Sequence, residues 1–542
     1  MPLPYSSRVK ITPDRLAALV TALAPLVYFY PAALGRVFLT PDDGTIFNVP
    51  LRVAAARVLT GGSLPLWNPY VFGGMPLLGA AQGGVLFPLN WFFLVFPAHA
   101  AANLMMLSTY AVAGLGAYLY ARRAGSNIKG ALLTSFVWQT CGFMVAQVGH
   151  TNVVQTAAVL PWILWALDGY AATGRRTRGA LLAAVVALQV FAGHSQTNAY
   201  TLILVAAYAL SMAYAADARE QRASYLRALA LVAVGLALAA VQILPTLELL
   251  RASLRAEASY DFFSSFSMPP RFALALLAPY LSGGGDGALF RAPYTGTDFY
   301  AEYIGYVGLA PLALAALAPA VRRDARTKFW AAAAVCAFAL ALGRFLPFDL
   351  NELVYRVPVL NLFRVPARHL MELDFALAVL AGRALTALSK ARASKDAPAL
   401  DGGGTTARVA AVCASLVSLT VLAVTVGRPS EFRLGRLAPV SLLRAPELFM
   451  PIVIALLSAW AIWNYARGRR RGAAALLFIV VVFDLCLWGH ASGWRNAPGR
   501  GHELWREPEV VRTLRAREAG GEGSYRVLTV ARKFSPEGPT LA

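Results

Sequence analysis

The chain has 542 residues, 58% of them hydrophobic and only 14% charged, with a mean hydropathy of +0.55. A water-soluble fold of that size needs far more polar surface, so a soluble globular protein is excluded. The formal charge of +21 does not indicate nucleic-acid binding, because the basic residues gather in short segments between apolar runs and not on one face.

Apolar runs near the length of a hydrocarbon core fall at 16–37, 101–120, 130–147, 153–170, 179–192, 197–214, 228–248, 303–320, 329–343, 370–388, 407–426, 449–465 and 472–489. Each reads as a helix, which predicts an all-α polytopic membrane protein with about thirteen transmembrane helices. The first run lacks the short apolar core and small-residue cleavage site of a secretory signal and reads as a span. Basic clusters at 122–123, 175–178, 218–227, 322–328, 390–395 and 468–471 alternate with the spans. The positive-inside rule puts them, and the N-terminus with Arg8, Lys10 and Arg15, in the cytoplasm.

On that topology residues 1–489 form the membrane domain, with long extracytoplasmic loops at 39–100 and 249–300. An outer, re-entrant-like segment covers 344–369 and a cytoplasmic linker 389–406. Residues 490–542 read as a short extracytoplasmic tail, in which "GSYRVLTV" has the pattern of a strand. The apolar "GGVLFPLNWFFLVFP" is short and broken by prolines, which predicts an interfacial helix and not a span. Cys141, Cys336, Cys413 and Cys486 stand singly in apolar runs and read as buried small hydrophobes.

The ionisable residues of the outer side are the candidates for chemistry. Asp42 and Asp43 follow the first span; a partly desolvated carboxylate there suits a general base or a metal ligand, and otherwise a solvated loop start. Trp67, Asn68 and Tyr70 lie in "SLPLWNPYVFGGMPLLGAAQGG", too rich in glycine, proline and aromatics for a helix; they offer stacking faces and a polar handle for a sugar, or a membrane-interface belt. His150 and His194 each follow a glycine at the outer end of a span. Both suit acid–base work or a phosphate contact, and equally a helix end. Asp298 and Glu302 stand at i and i+4 ahead of the 303–320 span, where a carboxylate is costly unless used or paired. Arg364 and Arg368 lie on the outer side against the charge rule, a placement that suits a phosphate headgroup, or snorkelling.

The stretches "PDDGTIFNVP", "LPLWNPYVFGGMPL", "GHTNVVQTAAVLPWI", "AGHSQTNAY", "EYIGYVGLAPLAL" and "NLFRVPARH", in that order over roughly 40–375, resemble the bacterial YfhO-like membrane proteins, a family placed with the GT-C glycosyltransferases. The resemblance implies a GT-C-like fold in a bacterial inner membrane, with a catalytic aspartate in the first outer loop. It further implies a polyprenyl-phosphate-linked sugar as donor and transfer to an extracytoplasmic lipid, polymer or protein. Asp43, with Pro50 downstream, matches the family aspartate better than Asp42, and would deprotonate or orient the acceptor hydroxyl in an inverting displacement. Placement adds Arg364, Arg368 and His194 for the donor phosphate, and Trp67, Asn68, Tyr70, His150, Asp298 and Glu302 for acceptor or sugar. A divalent cation (Mg or Mn) on Asp43 and Glu302 stays open. A lipid-linked saccharide flippase is the alternative; it would place its charges near the midplane.

Overall fold

The computed structural model describes residues 12–71, 73–253, 258–285, 289–290, 294, 296, 299–393, 412, 445–467, 472–496, 507 and 509–519. Helices follow the apolar runs closely. In chain order they are α1 (Pro13–Tyr28), α2 (Tyr30–Ala33), α3 (Val49–Thr60), α4 (Ala98–Arg123), α5 (Ile128–Thr140), α6 (Gly142–Ala146), α7 (Thr151–Thr173), α8 (Arg176–Phe191), α9 (Ser195–Tyr214), α10 (Arg219–Leu238), α11 (Ala240–Arg251) and α12 (Tyr260–Phe263). There follow α13 (Leu309–Val321), α14 (Ala325–Leu342), α15 (Leu350–Tyr355), α16 (Leu370–Ala393), α17 (Pro446–Arg467), α18 (Ala473–Gly489) and α19 (Glu509–Ala519). The one described sheet is a two-residue antiparallel pair, Trp67–Asn68 against Met75–Pro76.

Local chemistry sets the ends of these helices. Thr12, Asn127 and Asp324 turn side-chain oxygens onto the free backbone N–H groups of Arg15, Gly130 and Thr327. Gly174 closes α7 with a φ of 61°. α4, α5, α7, α13 and α16 form the interior, with α4 packed on α7 and α5, and α13 on α16.

This is an all-helical, multi-pass membrane protein. Among the described residues, four helical stretches are long and apolar enough to cross a membrane alone: Ala98–Arg123, Ile128–Gly149, Ala325–Phe345 and Pro446–Arg467. The pair α10 and α11, bent by 70°, makes a fifth. That is fewer than the spans read from sequence, because α1, α8, α13 and α18 run to only 16, 16, 13 and 17 residues and because α7 and α16 carry polar groups. α7 and α16 bury Asn152, Gln155, Asp168, Asp374 and Arg383 against neighbouring helices, so their polarity is met inside the protein and not by lipid. The span expected over 407–426 (apart from Val412), the linker beyond Ala393 and "GSYRVLTV" lie outside the described residues.

Breaks also interrupt the expected spans at 130–147 and 303–320. α5 stops at Cys141, where Gly142 N donates to Tyr306 O at 2.6 Å and Phe143 N to Asp374 Oδ2 at 3.0 Å. The run at 303–320 is helical only from Leu309. Residues 304–308 are not helical, held where Tyr306 Oη and Leu309 N donate to Asp484 at 2.6 and 2.8 Å. Glu302 therefore sits on a 3-10 turn (Tyr300–Tyr303) and not on the α-helical face read from sequence.

The loops assigned to the cytoplasm meet at one end of the bundle. Arg122 grips Asp14 from Nε and Nη2 at 2.6 and 2.9 Å, Arg383 pairs with Asp324, and Arg383 Nη1 donates to Ala124 O at 2.8 Å. At the other end the 88–94 segment is a 3-10 turn with Trp91, Val95 and Phe96 exposed, fit for a membrane interface. Residues 344–369 are a string of short turns with Phe348, Asp349, Val359 and Val365 at positive φ.

Candidate active site

The loop that follows α2 is anchored before it reaches its carboxylates. Leu39 N donates to Asn103 Oδ1 at 2.9 Å, and Asn103 Nδ2 donates to the Ala32 and Val37 carbonyls at 3.1 and 2.9 Å. The chain turns at Asp42 (φ 51°) into a π-turn, Gly44–Asn48, that continues into α3. Such turns recur at functional sites. Thr45 Oγ1 donates to Thr40 O at 2.6 Å, and Asn48 Nδ2 to Asp43 O at 3.2 Å.

Glycines decide what this turn can touch. A Cβ on Gly44 would lie 2.8 Å from Thr40 Cβ and 3.0 Å from Gly149 O; one on Gly149 would lie 2.9 Å from Pro41 O. The two backbones meet at this range only because both positions are glycine, and the approach sets Asp43 beside His150. The glycine before His194 has the same use, since a Cβ on Gly193 would strike the Ala81 carbonyl of the first outer loop.

From Asp43 a chain of polar contacts crosses the end of the bundle opposite the basic loops. His150 Nε2 is 3.5 Å from Asp43 Oδ2, and its Nδ1 is 2.5 Å from Gln147 Oε1. Gln147 Nε2 donates to Glu302 Oε2 at 2.9 Å and to Ala301 O at 3.1 Å. Arg368 grips Glu302 with Nη2 on Oε1 at 2.7 Å and Nε on Oε2 at 3.2 Å. Arg368 Nη1 donates to Gln196 Oε1 at 3.1 Å and stands 3.4 Å from His194 Nε2. Gln196 Nε2 reaches Tyr200 Oη at 3.0 Å and the Arg364 carbonyl. Tyr200 stacks on His369, whose Nδ1 meets Glu372. Five candidates from sequence, Asp43, His150, Glu302, Arg368 and His194, thus share one network drawn from five separate segments.

The charges are arranged unequally. The His150 imidazole beside Asp43 holds its carboxyl below the usual carboxylate range; burial opposes this, and Arg368 adds to it. Burial pushes the Glu302 carboxyl up, but Arg368, His150 and Gln147 outweigh it and leave it below its ordinary value. Behind the π-turn, buried Arg52 donates to Asn90 Oδ1, Asn48 O and Gln155 Oε1, each at 3.0 Å. Burial pushes Arg52 down to about 9, so it keeps its charge at neutral pH among neutral amides.

The remaining candidates fall elsewhere. Asp42 is exposed next to Asp43. Arg364 is exposed, its guanidinium over Phe262 and Phe266 at 5.6 and 5.8 Å. Trp67 lies over Gly74, buried Asn68 accepts from Tyr70 N at 2.9 Å, and Tyr70 is exposed; none of the contacts above reaches these three. Asp298 lies outside the described residues. Sequence reasoning missed Gln147, Gln196, Arg52 and the His369–Glu372 pair. For the two glutamines a local signal was available, an amide three residues before His150 and another two after His194.

Among the described residues, both Glu302 oxygens are engaged by Arg368 and Gln147, and Asp43 stands beside His150. Among the described residues no group of three or more His, Cys, Asp or Glu converges for a metal.

No family model matches the chain, and no curated relative does. A solved structure, ArnT from Cupriavidus metallidurans bound to undecaprenyl phosphate, is similar over 88% of this chain and 78% of that one, at 14% identity and a TM-score of 0.45. A likeness that loose fixes neither fold nor activity.

Proposed function

We propose that this protein is a membrane glycosyltransferase, YfhO-like and of GT-C type. It moves a sugar from a polyprenyl-phosphate carrier to an acceptor outside the cytoplasm. The observation that carries the reading is the continuous network from Asp43 through His150, Gln147 and Glu302 to Arg368 and His194, at the end of the bundle opposite the basic loops. A site at the membrane surface is where a lipid phosphate and a water-side acceptor can meet.

In this reading Asp43, ionised and half-exposed, orients or deprotonates the acceptor hydroxyl, which attacks the anomeric carbon with inversion while the carrier phosphate leaves. Exposed Arg364 and the Nη1 face of Arg368, with His194 behind it, receive the phosphate. Glu302 holds Arg368 in place and tempers its charge. Trp67 and Tyr70 supply stacking faces for sugar or acceptor, with Asn68 shaping their turn.

The flippase reading draws on Asp374 and Asp484, carboxylates buried in α16 and α18 beside broken helices. Both are already engaged in capping a helix start, at Phe143 N and Leu309 N. The test is a panel of radiolabelled polyprenyl-phosphate sugars given to purified protein in lipid, with and without EDTA. Release of polyprenyl phosphate by the wild type and its loss in Asp43→Asn supports the enzyme. Transbilayer movement of labelled lipid without release would sink it in favour of the flippase.

A further inference from the structure

The amide of Gln147 has a single orientation available to it. Its Nε2 faces two acceptors, the Glu302 carboxylate at 2.9 Å and the Ala301 carbonyl at 3.1 Å, and the carboxylate is itself locked by Arg368. Both acceptors demand the NH2 group, so Oε1 is the atom turned to His150 Nδ1 at 2.5 Å. An amide oxygen only accepts, which puts a proton on Nδ1. In the neutral ring the lone pair is therefore on Nε2, and Nε2 faces Asp43 Oδ2 at 3.5 Å. Two proton acceptors stand side by side there, one a carboxylate and one an imidazole nitrogen, and a group that carries a proton would meet both.

We propose that the acceptor hydroxyl binds between Asp43 and His150, that its proton ends on His150 Nε2, and that Gln147 is the positioning residue that keeps the lone pair on that nitrogen. The inference rests on the glycosyltransferase reading and assigns its proton. The O–H bond of the acceptor breaks as its oxygen bonds to the anomeric carbon. The bond from that carbon to the carrier phosphate breaks, and its electron pair leaves with the phosphate. The resulting imidazolium donates to Asp43 from Nε2 and to Gln147 Oε1 from Nδ1, so both of its protons are met. Asp43, beside the ring at 3.5 Å, orients the hydroxyl and balances the imidazolium once it forms. The charged groups bearing on the ring are Asp42 and Asp43 from the first outer loop, Glu302 from the 300–303 turn, and Arg368 with His194 beyond it.

Two measurements on the full chain in lipid nanodiscs test this. The chain contains 6 histidines, so 15N-histidine labelling with His150→Gln as the assignment variant isolates one ring. The neutral His150 ring is expected to carry its proton on Nδ1, and Gln147→Leu to release it to the other tautomer. A wild-type ring protonated on Nε2 overturns the proposal, whatever the activity. The second measurement follows release of undecaprenyl phosphate from radiolabelled undecaprenyl-phosphate hexoses between about pH 5 and 9. His150→Gln should lower kcat about 100-fold with KM little changed, and Gln147→Leu about 10-fold with a displaced acid limb. Wild-type turnover with an unaltered pH profile in His150→Gln would overturn the proton assignment and leave the enzyme reading standing. No release from any donor by wild type would remove the enzyme reading itself, and the proton role with it.

Discussion

Glu302 and Arg368 are the residues whose energetics bear most directly on function. Their side chains are 5% and 13% exposed, and both carboxylate oxygens are claimed by the guanidinium. Burying two charges costs several kcal/mol for each, so the pair is a poor way to add stability, and an apolar pair of equal volume would serve as well. Breaking it is another matter. Glu302→Gln leaves a buried guanidinium without its counter-charge and should cost about 3–5 kcal/mol, read as a lower Tm. The double variant Glu302→Gln/Arg368→Gln should be less destabilised than the sum of the two single changes, a coupling that a thermal-melt cycle measures. The pH dependence has a definite sign. The Glu302 carboxyl is held below its ordinary 4.5, so its contribution is complete above that pH and is lost as pH falls through its folded value. Wild type should lose Tm across that acid window, and Glu302→Gln should lose less. Identical acid profiles for the two would contradict the pairing.

At the scale of elements, the contact between the 41–48 turn and the 147–150 turn decides whether Asp43 and His150 act together. Gly44→Ala puts a methyl 2.8 Å from Thr40 Cβ and 3.0 Å from Gly149 O, against backbone and a β-branched side chain that have little room to give. The turns must separate. A misplacement on the order of 1 Å at a reacting centre costs about 100-fold in rate. Gly44→Ala and Gly149→Ala are both expected to lose about that much polyprenyl-phosphate release while the protein stays monodisperse and folded. Retention of full turnover would show that the approach is only packing. Arg52 braces the same element from behind, through Asn48 to Asp43 O. Lysine at this position cannot repeat three fork contacts from one planar group, so Arg52→Lys should also depress turnover, by a smaller factor.

For the whole molecule, orientation is the property to test. The basic loops meet at one end through Arg122–Asp14 and Arg383–Asp324, and the Asp43–Arg368 network lies at the other. Positive-inside bias predicts that the first end faces the cytoplasm. With native thiols replaced by alanine, Leu64→Cys, exposed in the first outer loop, should react with a membrane-impermeant maleimide in intact cells. Arg219→Cys, exposed at the start of α10, should react only after lysis. The reverse pattern would invert the topology and move the proposed site into the cytoplasm.

Helix positions and their grouping into two ends were legible in the residue order because they rest on additive, local quantities. The length of an apolar run, the charges flanking it and a glycine or Asx residue at its end each act within a few residues. His150 and His194 stood out by the same local logic, each behind a glycine at a helix end. The pairing of the candidates depends on contacts between distant segments, and no local pattern encodes it. Arg364 and Arg368 are alike in sequence, yet one lies exposed over two phenylalanine rings and the other is spent on Glu302. Glu302 read as a helical residue because it stands four residues after Asp298; Asp484, far along the chain, captures the start of α13 and keeps the preceding residues out of the helix. Gln147 and Gln196 carry no periodic signal at all. Their importance comes from which oxygen or nitrogen each turns to a neighbour, and only the packed structure decides that.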